Sequence, residues 1–135
     1  MEVGETFSKP YVFTLEGIRR FAEEAGDLNP LHSDEATAAA SRFGGIIASG
    51  AHMSGVLMSL AASHLAGVKE NVGLEFTFRF RRAIPAGTAT VLSWTVTSKE
   101  PHEKLKGEIV TMDGQIADEV GSLYVTSQSK GIVWP

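Results

Sequence analysis

The chain has 135 residues, 43 % of them hydrophobic and 21 % charged, which fits one globular domain over residues 1–135 and excludes a disordered chain. Twelve Lys and Arg against sixteen Asp and Glu leave a net charge of −4, so a chain without a basic tract is a poor nucleic-acid binder. There is no cysteine, which excludes disulfides, thiolate nucleophiles and cysteine-ligated metals and fits a reducing cytoplasm.

The first residues lack the basic-then-apolar order of a secretory signal. The longest apolar-leaning stretch, Ile46 to Gly67, holds Ser49, His52, Ser54, Ser59, Ser63 and His64, too many polar groups for a lipid-facing span. A cytoplasmic protein that does not enter the membrane is therefore expected.

In chain order, a short strand is expected near Glu5–Phe13. Leu15, Ile18, Phe21, Ala22 and Ala25 then recur near the helical period, with Thr14 as N-cap and Gly26 as stop. Asn29 precedes Pro30, which biases it away from helix, so Asp27–His32 should be a loop. A short helix is expected from about Asp34 to Arg42, capped by Ser33. Phe43-Gly44-Gly45 ends it, and Ser49-Gly50 opens a third helix running to Ala66, roughly 25 Å long at 1.5 Å per residue. That helix is apolar or small-residued nearly all round, the pattern of a buried helix.

The second half reads as strands. Val72, Leu74, Phe76, Phe78 and Phe80 alternate with polar residues and Gly73, which predicts a strand burying its three phenylalanines. Pro85-Ala86-Gly87 is a turn. Thr88–Thr97, Lys104–Met112 and Gln115–Thr126 are expected strands, with Asp113-Gly114 as the hairpin turn between the last two. These elements make an α+β fold in which a curved antiparallel sheet of about five strands wraps one long helix. An open sheet edge predicts pairing with a second copy, a homodimer.

The segment that carries chemistry is Gly26-Asp27-Leu28-Asn29-Pro30-Leu31-His32. A proline-stiffened loop can aim a carboxylate and an imidazole at one water, removing one proton and returning another. The start of the long helix supplies free N–H groups and a positive dipole end, and Gly50 lets a carbonyl approach the backbone closely. The heptapeptide resembles the hydratase motif of the MaoC-like dehydratases, the group that contains (R)-specific enoyl-CoA hydratases. Ala38–Phe43, Ile46–Gly50 and Phe76–Gly87 extend the likeness, which runs over roughly Val3 to Val125.

That resemblance implies a hot-dog fold and hydration of trans-2-enoyl-CoA to (R)-3-hydroxyacyl-CoA, or the reverse dehydration. It implies that Asp27 activates water, that His32 binds the water and donates the proton, and that the Gly50 amide holds the thioester carbonyl. Asn29 supports the loop, and Ser49 stands where many members have His. No cofactor is implied beyond the coenzyme A or acyl carrier protein that carries the substrate, and no metal. His52, Met53 and Leu57 are candidate pocket residues, and Met58 joins Met53 and Leu57 as a candidate lining of an acyl tunnel. Arg79, Arg81 and Arg82 read as a solvated sheet face paired with Glu75, with nucleotide phosphates of coenzyme A as the other reading. A hot-dog thioesterase is the alternative, although no Asp or Glu lies between Gly50 and Ala66. A non-catalytic acyl-thioester binding module is the third.

Overall fold

The computed structural model describes all residues, Met1–Pro135. Strand β1 (Thr6–Phe13) leads into helix α1 (Leu15–Ala25), a 3₁₀ turn at Pro30–His32, helix α2 (Glu35–Ala40) and the long helix α3 (Gly50–Ala66). Strands β2 (Asn71–Phe80), β3 (Thr88–His102), β4 (Gly107–Ala117) and β5 (Leu123–Val133) follow. The five strands form one sheet in the order β1-β3-β4-β5-β2, every pair antiparallel. Consecutive strands β3, β4 and β5 form a meander. Strand β2 crosses over to lie beside β5, so β1 and β2 are the two edges. The fold is the expected α+β arrangement of a five-stranded antiparallel sheet and a central helix.

Helix α3 lies on the sheet with His52, Met53, Leu57, Ala61 and Leu65 buried. Trp94, fully buried on β3, donates Nε1–H to the Leu57 carbonyl at 2.8 Å and ties sheet to helix. The expectation of an all-round buried helix is corrected here. Ala51, Met58, Ser59, Ala62 and Ser63 face outward, because a single sheet covers only one side of a helix. No helix is long and apolar enough to cross a membrane.

Three local readings also need correction. Asp34, not Ser33, caps α2; its side chain accepts from Ala36 and Thr37 N–H, and the helix stops at Ala40. Asp113-Gly114 is not a turn. Both residues lie within β4, Gly114 opposite Trp94 and Asp113 opposite Thr95. A Cβ on Gly114 would stand 2.5 Å from Trp94 Cε3, so this glycine makes room for a ring and does not bend the chain. The reversals fall instead at Glu103–Lys106, where Lys106 has φ 56°, and at Asp118–Ser122, where Gly121 has φ 87°. Strands β3 and β4 are longer than expected, and β5 is shifted toward the C-terminus and reaches Val133, with Trp134 Nε1–H bonded to the Leu105 carbonyl at 2.8 Å.

The third correction concerns β2. Phe76 and Phe78 pack against the core, but Phe80 is 51 % exposed, and Val72 and Leu74 are exposed too. Strand β2 is an edge, and a bulge between Gly73 and Glu75 breaks the alternation that would carry Val72 and Leu74 onto the face of Phe76 and Phe78.

Candidate active site

Helix α1 ends in a left-handed Gly26 (φ 71°), whose N–H donates to the Glu23 carbonyl while Asp27 N–H donates to Ala22. This stop turns the chain sharply and presents Asp27 at the head of the loop. Asp27 Oδ1 then accepts from Asn29 N–H at 3.0 Å, and Asn29 Oδ1 accepts from Leu31 N–H at 3.1 Å. Two successive side-chain turns, followed by Pro30 at the start of the 3₁₀ turn, leave the loop little freedom. Asn29 thus holds the loop backbone through its side-chain oxygen.

His32 is buried at the end of that turn. A carbonyl only accepts, so the 2.7 Å contact to Ile47 O fixes the proton on Nδ1. Nε2 is left facing Asp27 Oδ2 at 3.9 Å, too long for a direct hydrogen bond and short enough for one small nucleophile to touch both. The carboxylate side chain is 31 % exposed against 9 % for the imidazole. Substrate can therefore reach Asp27 from solvent, while His32 is held from behind.

The segment that anchors His32 also delivers α3. Ile47 N–H donates back to Leu31 O, Ala48 N–H donates to Ile84 O, and Ala86 N–H donates to Ile46 O. Residues 46–48 form a short extended ribbon between the motif loop and the turn before β3, and α3 starts directly from it. Buried Ser49 caps that helix, its Oγ accepting from His52 N–H at 3.0 Å, and the first intrahelical bond runs from Met53 N–H to Ser49 O. The Gly50 and Ala51 amides precede that bond and have no intrahelical acceptor. With the helix dipole behind them they suit an oxyanion.

The aromatic ring of Phe80 lies over Gly50, 3.3 Å from where a Cβ would stand. Sequence alternation placed Phe80 in the core and missed this role. Ile47, the anchor of His32, was missed as well, because a backbone carbonyl fifteen residues away leaves no signal in the side chains.

His52 sits in an aromatic cage, stacked on Phe21 with centroids 4.6 Å apart and edge-on to Phe13 and Tyr11. Its Nε2 shares a 2.9 Å hydrogen bond with Tyr11 Oη, while Nδ1 is buried without a partner. Burial pushes the His52 imidazole below its ordinary value and the Tyr11 hydroxyl above its own, Arg20 opposing the latter weakly. Met53 and Leu57 are core residues. An apolar cavity of about 210 Å³ is lined from α3 by Met58, Ala61, Ala62 and Leu65. Arg81 and Arg82 do not pair with Glu75: Arg81 Nε–H donates to Thr126 Oγ1, and Arg82 meets Asp118 at 3.5 Å and lies over the Tyr124 ring.

Comparison with known proteins bears on the family and the fold. A family model described as MaoC like domain matches residues 2–115. A UPF0336 protein of Streptomyces avermitilis is 27 % identical over 139 residues, which span 95 % of this chain and 89 % of the relative. The unliganded R-hydratase PhaJ1 from Pseudomonas aeruginosa superposes with a TM-score of 0.88 at 26 % identity, covering 99 % of this chain and 83 % of that one. The (R)-hydratase from A. caviae involved in PHA biosynthesis superposes with a TM-score of 0.84 at 25 % identity, covering 100 % of this chain and 98 % of that one. With a family match over most of its length and a central helix on a five-stranded antiparallel sheet, this chain belongs to the MaoC-like domain family and has its hot-dog fold.

Proposed function

We propose that the protein hydrates a trans-2-enoyl thioester, carried on coenzyme A or acyl carrier protein, to the (R)-3-hydroxyacyl thioester, and catalyses the reverse dehydration. Family membership points to hydratase or dehydratase chemistry on acyl thioesters. The two solved neighbours named (R)-hydratases support the (R) series. The observation that carries the reading is the facing pair of Asp27 Oδ2 and His32 Nε2, 3.9 Å apart, on a loop bonded to the segment that starts α3.

In this mechanism a water molecule sits between the two side chains. Asp27 takes one of its protons as the oxygen bonds to C3 of the enoyl group. The C2–C3 π electrons move toward the thioester, and the charge on its oxygen is met by the Gly50 N–H. In the imidazolium form Nδ1–H stays on the Ile47 carbonyl and Nε2 carries a second proton, which goes to C2. The proton on Asp27 then passes to His32, restoring both groups; the sum is one water added across one double bond. Anchoring of Nδ1 by Ile47 keeps Nε2 on the reacting side throughout. Asn29 and Ser49 act on geometry, through the loop and the helix start. The protein acts as a homodimer, the exposed apolar row on β2 supporting pairing of that edge.

The test is loss of the enoyl-thioester absorbance of crotonyl-CoA. Wild type should consume it, and Asp27→Asn should lower kcat by about a thousandfold with an unchanged melting temperature, as expected for loss of a general base. Turnover in Asp27→Asn equal to wild type would overturn the assignment. Release of free coenzyme A in place of hydration would identify a thioesterase.

A further inference from the structure

Ser129 lies on β5, paired in register with Phe76 of β2 and Met112 of β4, so its side chain stands on the sheet face that meets α3. It is 3 % exposed, and its Oγ has no hydrogen-bond partner. A buried hydroxyl left unpaired is destabilising, and this one lines the 210 Å³ apolar cavity between α3 and the β2 edge. The cavity exists because small residues meet there: Ala61 and Ala62 on α3, and the paired Gly73 and Gly131 on the strands, next to a bulge at Leu74.

A row of stacked rings runs from the candidate active site to this cavity. Phe80 lies over Gly50 at the start of α3. Phe78 stacks on Phe80 with centroids 6.4 Å apart, Phe76 stacks on Phe78 at 6.1 Å, and Phe76 lines the cavity. The row therefore runs from the amide assigned to the thioester carbonyl toward the far end of α3.

We propose that the cavity receives the distal part of the acyl chain and that Ser129 selects chains carrying an oxygen there, a hydroxyl or a carbonyl, over plain alkyl chains. This rests on the enoyl-thioester reading above. A hydrocarbon tail leaves the Ser129 hydroxyl unpaired, whereas an oxygenated tail pairs with it inside a water-poor wall. Discrimination follows from that difference, as it does wherever a site is built to hydrogen-bond its substrate.

The experiment compares kcat/KM for trans-2-enoyl-CoA substrates from hexenoyl to dodecenoyl, each plain and with a terminal hydroxyl, in wild type and Ser129→Ala. At the chain length that reaches Ser129, wild type should prefer the hydroxylated substrate about tenfold, the size of one net hydrogen bond, and Ser129→Ala should prefer the plain one. Preference for the plain chain at every length in wild type, or an unchanged preference in Ser129→Ala, overturns the proposal. Ser129→Ala removes an unpaired polar group, so its melting temperature should equal or exceed that of wild type. Crotonyl-CoA, too short for the cavity, tests the reaction in wild type apart from the cavity. If no enoyl thioester is hydrated, calorimetric binding of saturated octanoyl-, decanoyl- and dodecanoyl-CoA with and without a terminal hydroxyl decides the cavity separately. Tighter binding of a hydroxylated form by wild type only supports Ser129 as the selector; equal binding, or none, overturns it.

Discussion

His52 stacks on Phe21, touches Phe13 edge-on and shares its Nε2 with Tyr11 Oη, two residues beyond the amide assigned to the thioester. Burial holds its pKa below the ordinary 6.5. Folding thus disfavours a proton that the unfolded chain binds, so this residue's contribution to stability is complete above about pH 6.5 and is lost as pH falls from there through the folded-state value. Thermal unfolding followed from pH 7.5 to pH 5 should show stability falling, by at most about 1.4 kcal/mol per pH unit from this one group. In His52→Gln that part of the slope should vanish; an identical slope in the variant would mean that other groups carry it. Asp27 and Asn29 make a different point at the same scale. Each uses a side-chain oxygen to hold the loop backbone, so the residue assigned to chemistry also shapes its own support.

Among the elements, β3 and β4 are locked by a contact that a turn signal conceals. Trp94 lies flat against Gly114 and is fixed at its other side by the Leu57 carbonyl. In Gly114→Ala the new methyl would stand 2.5 Å from Trp94 Cε3, and the ring has no free direction in which to move. We expect a loss of about 3 kcal/mol, the upper range for overpacking a core, read as a lower urea midpoint. Asp113→Ala, on the exposed face one residue earlier, should change the midpoint little. A near-neutral Gly114→Ala would show that the β3–β4 pair can shift to accept the methyl. Helix α3 owes its outline to signals that are local and strong. Ser49 at the N-cap and Gly67 at the stop bound it where the sequence placed them, because capping depends on one side chain and the nearest backbone.

At the scale of the whole molecule, exposed apolar residues of α3 and of the β2 edge stand side by side. Val72 and Leu74 are half exposed on an unpaired edge strand, and Met58 is 38 % exposed on the adjoining helix. A long apolar edge of this kind invites pairing, and a second copy satisfies it most simply. Sedimentation equilibrium should give twice the chain mass, and Val72→Lys should shift it toward the monomer. A monomer in wild type at micromolar concentration would refute the dimer.

The sequence by itself determined what depends on neighbours in the chain. The caps of α1 and α3, the stop at Gly26 that presents Asp27 and the loop stiffened by Asn29-Pro30 follow from short-range sterics and hydrogen bonds, and the motif in that loop pointed to the family. Only the tertiary structure decided what depends on residues far apart. It moved the Asp113-Gly114 pair from a turn into β4, because Trp94 needed the space of a missing side chain. It placed Phe80 over Gly50 and not in the core, because β2 lies at the edge. It chose the His32 tautomer through a carbonyl at Ile47 and left Ser129 facing an apolar cavity. Local patterns record the chain's own geometry; which atoms meet across the fold is set by packing, and packing is a property of the whole chain.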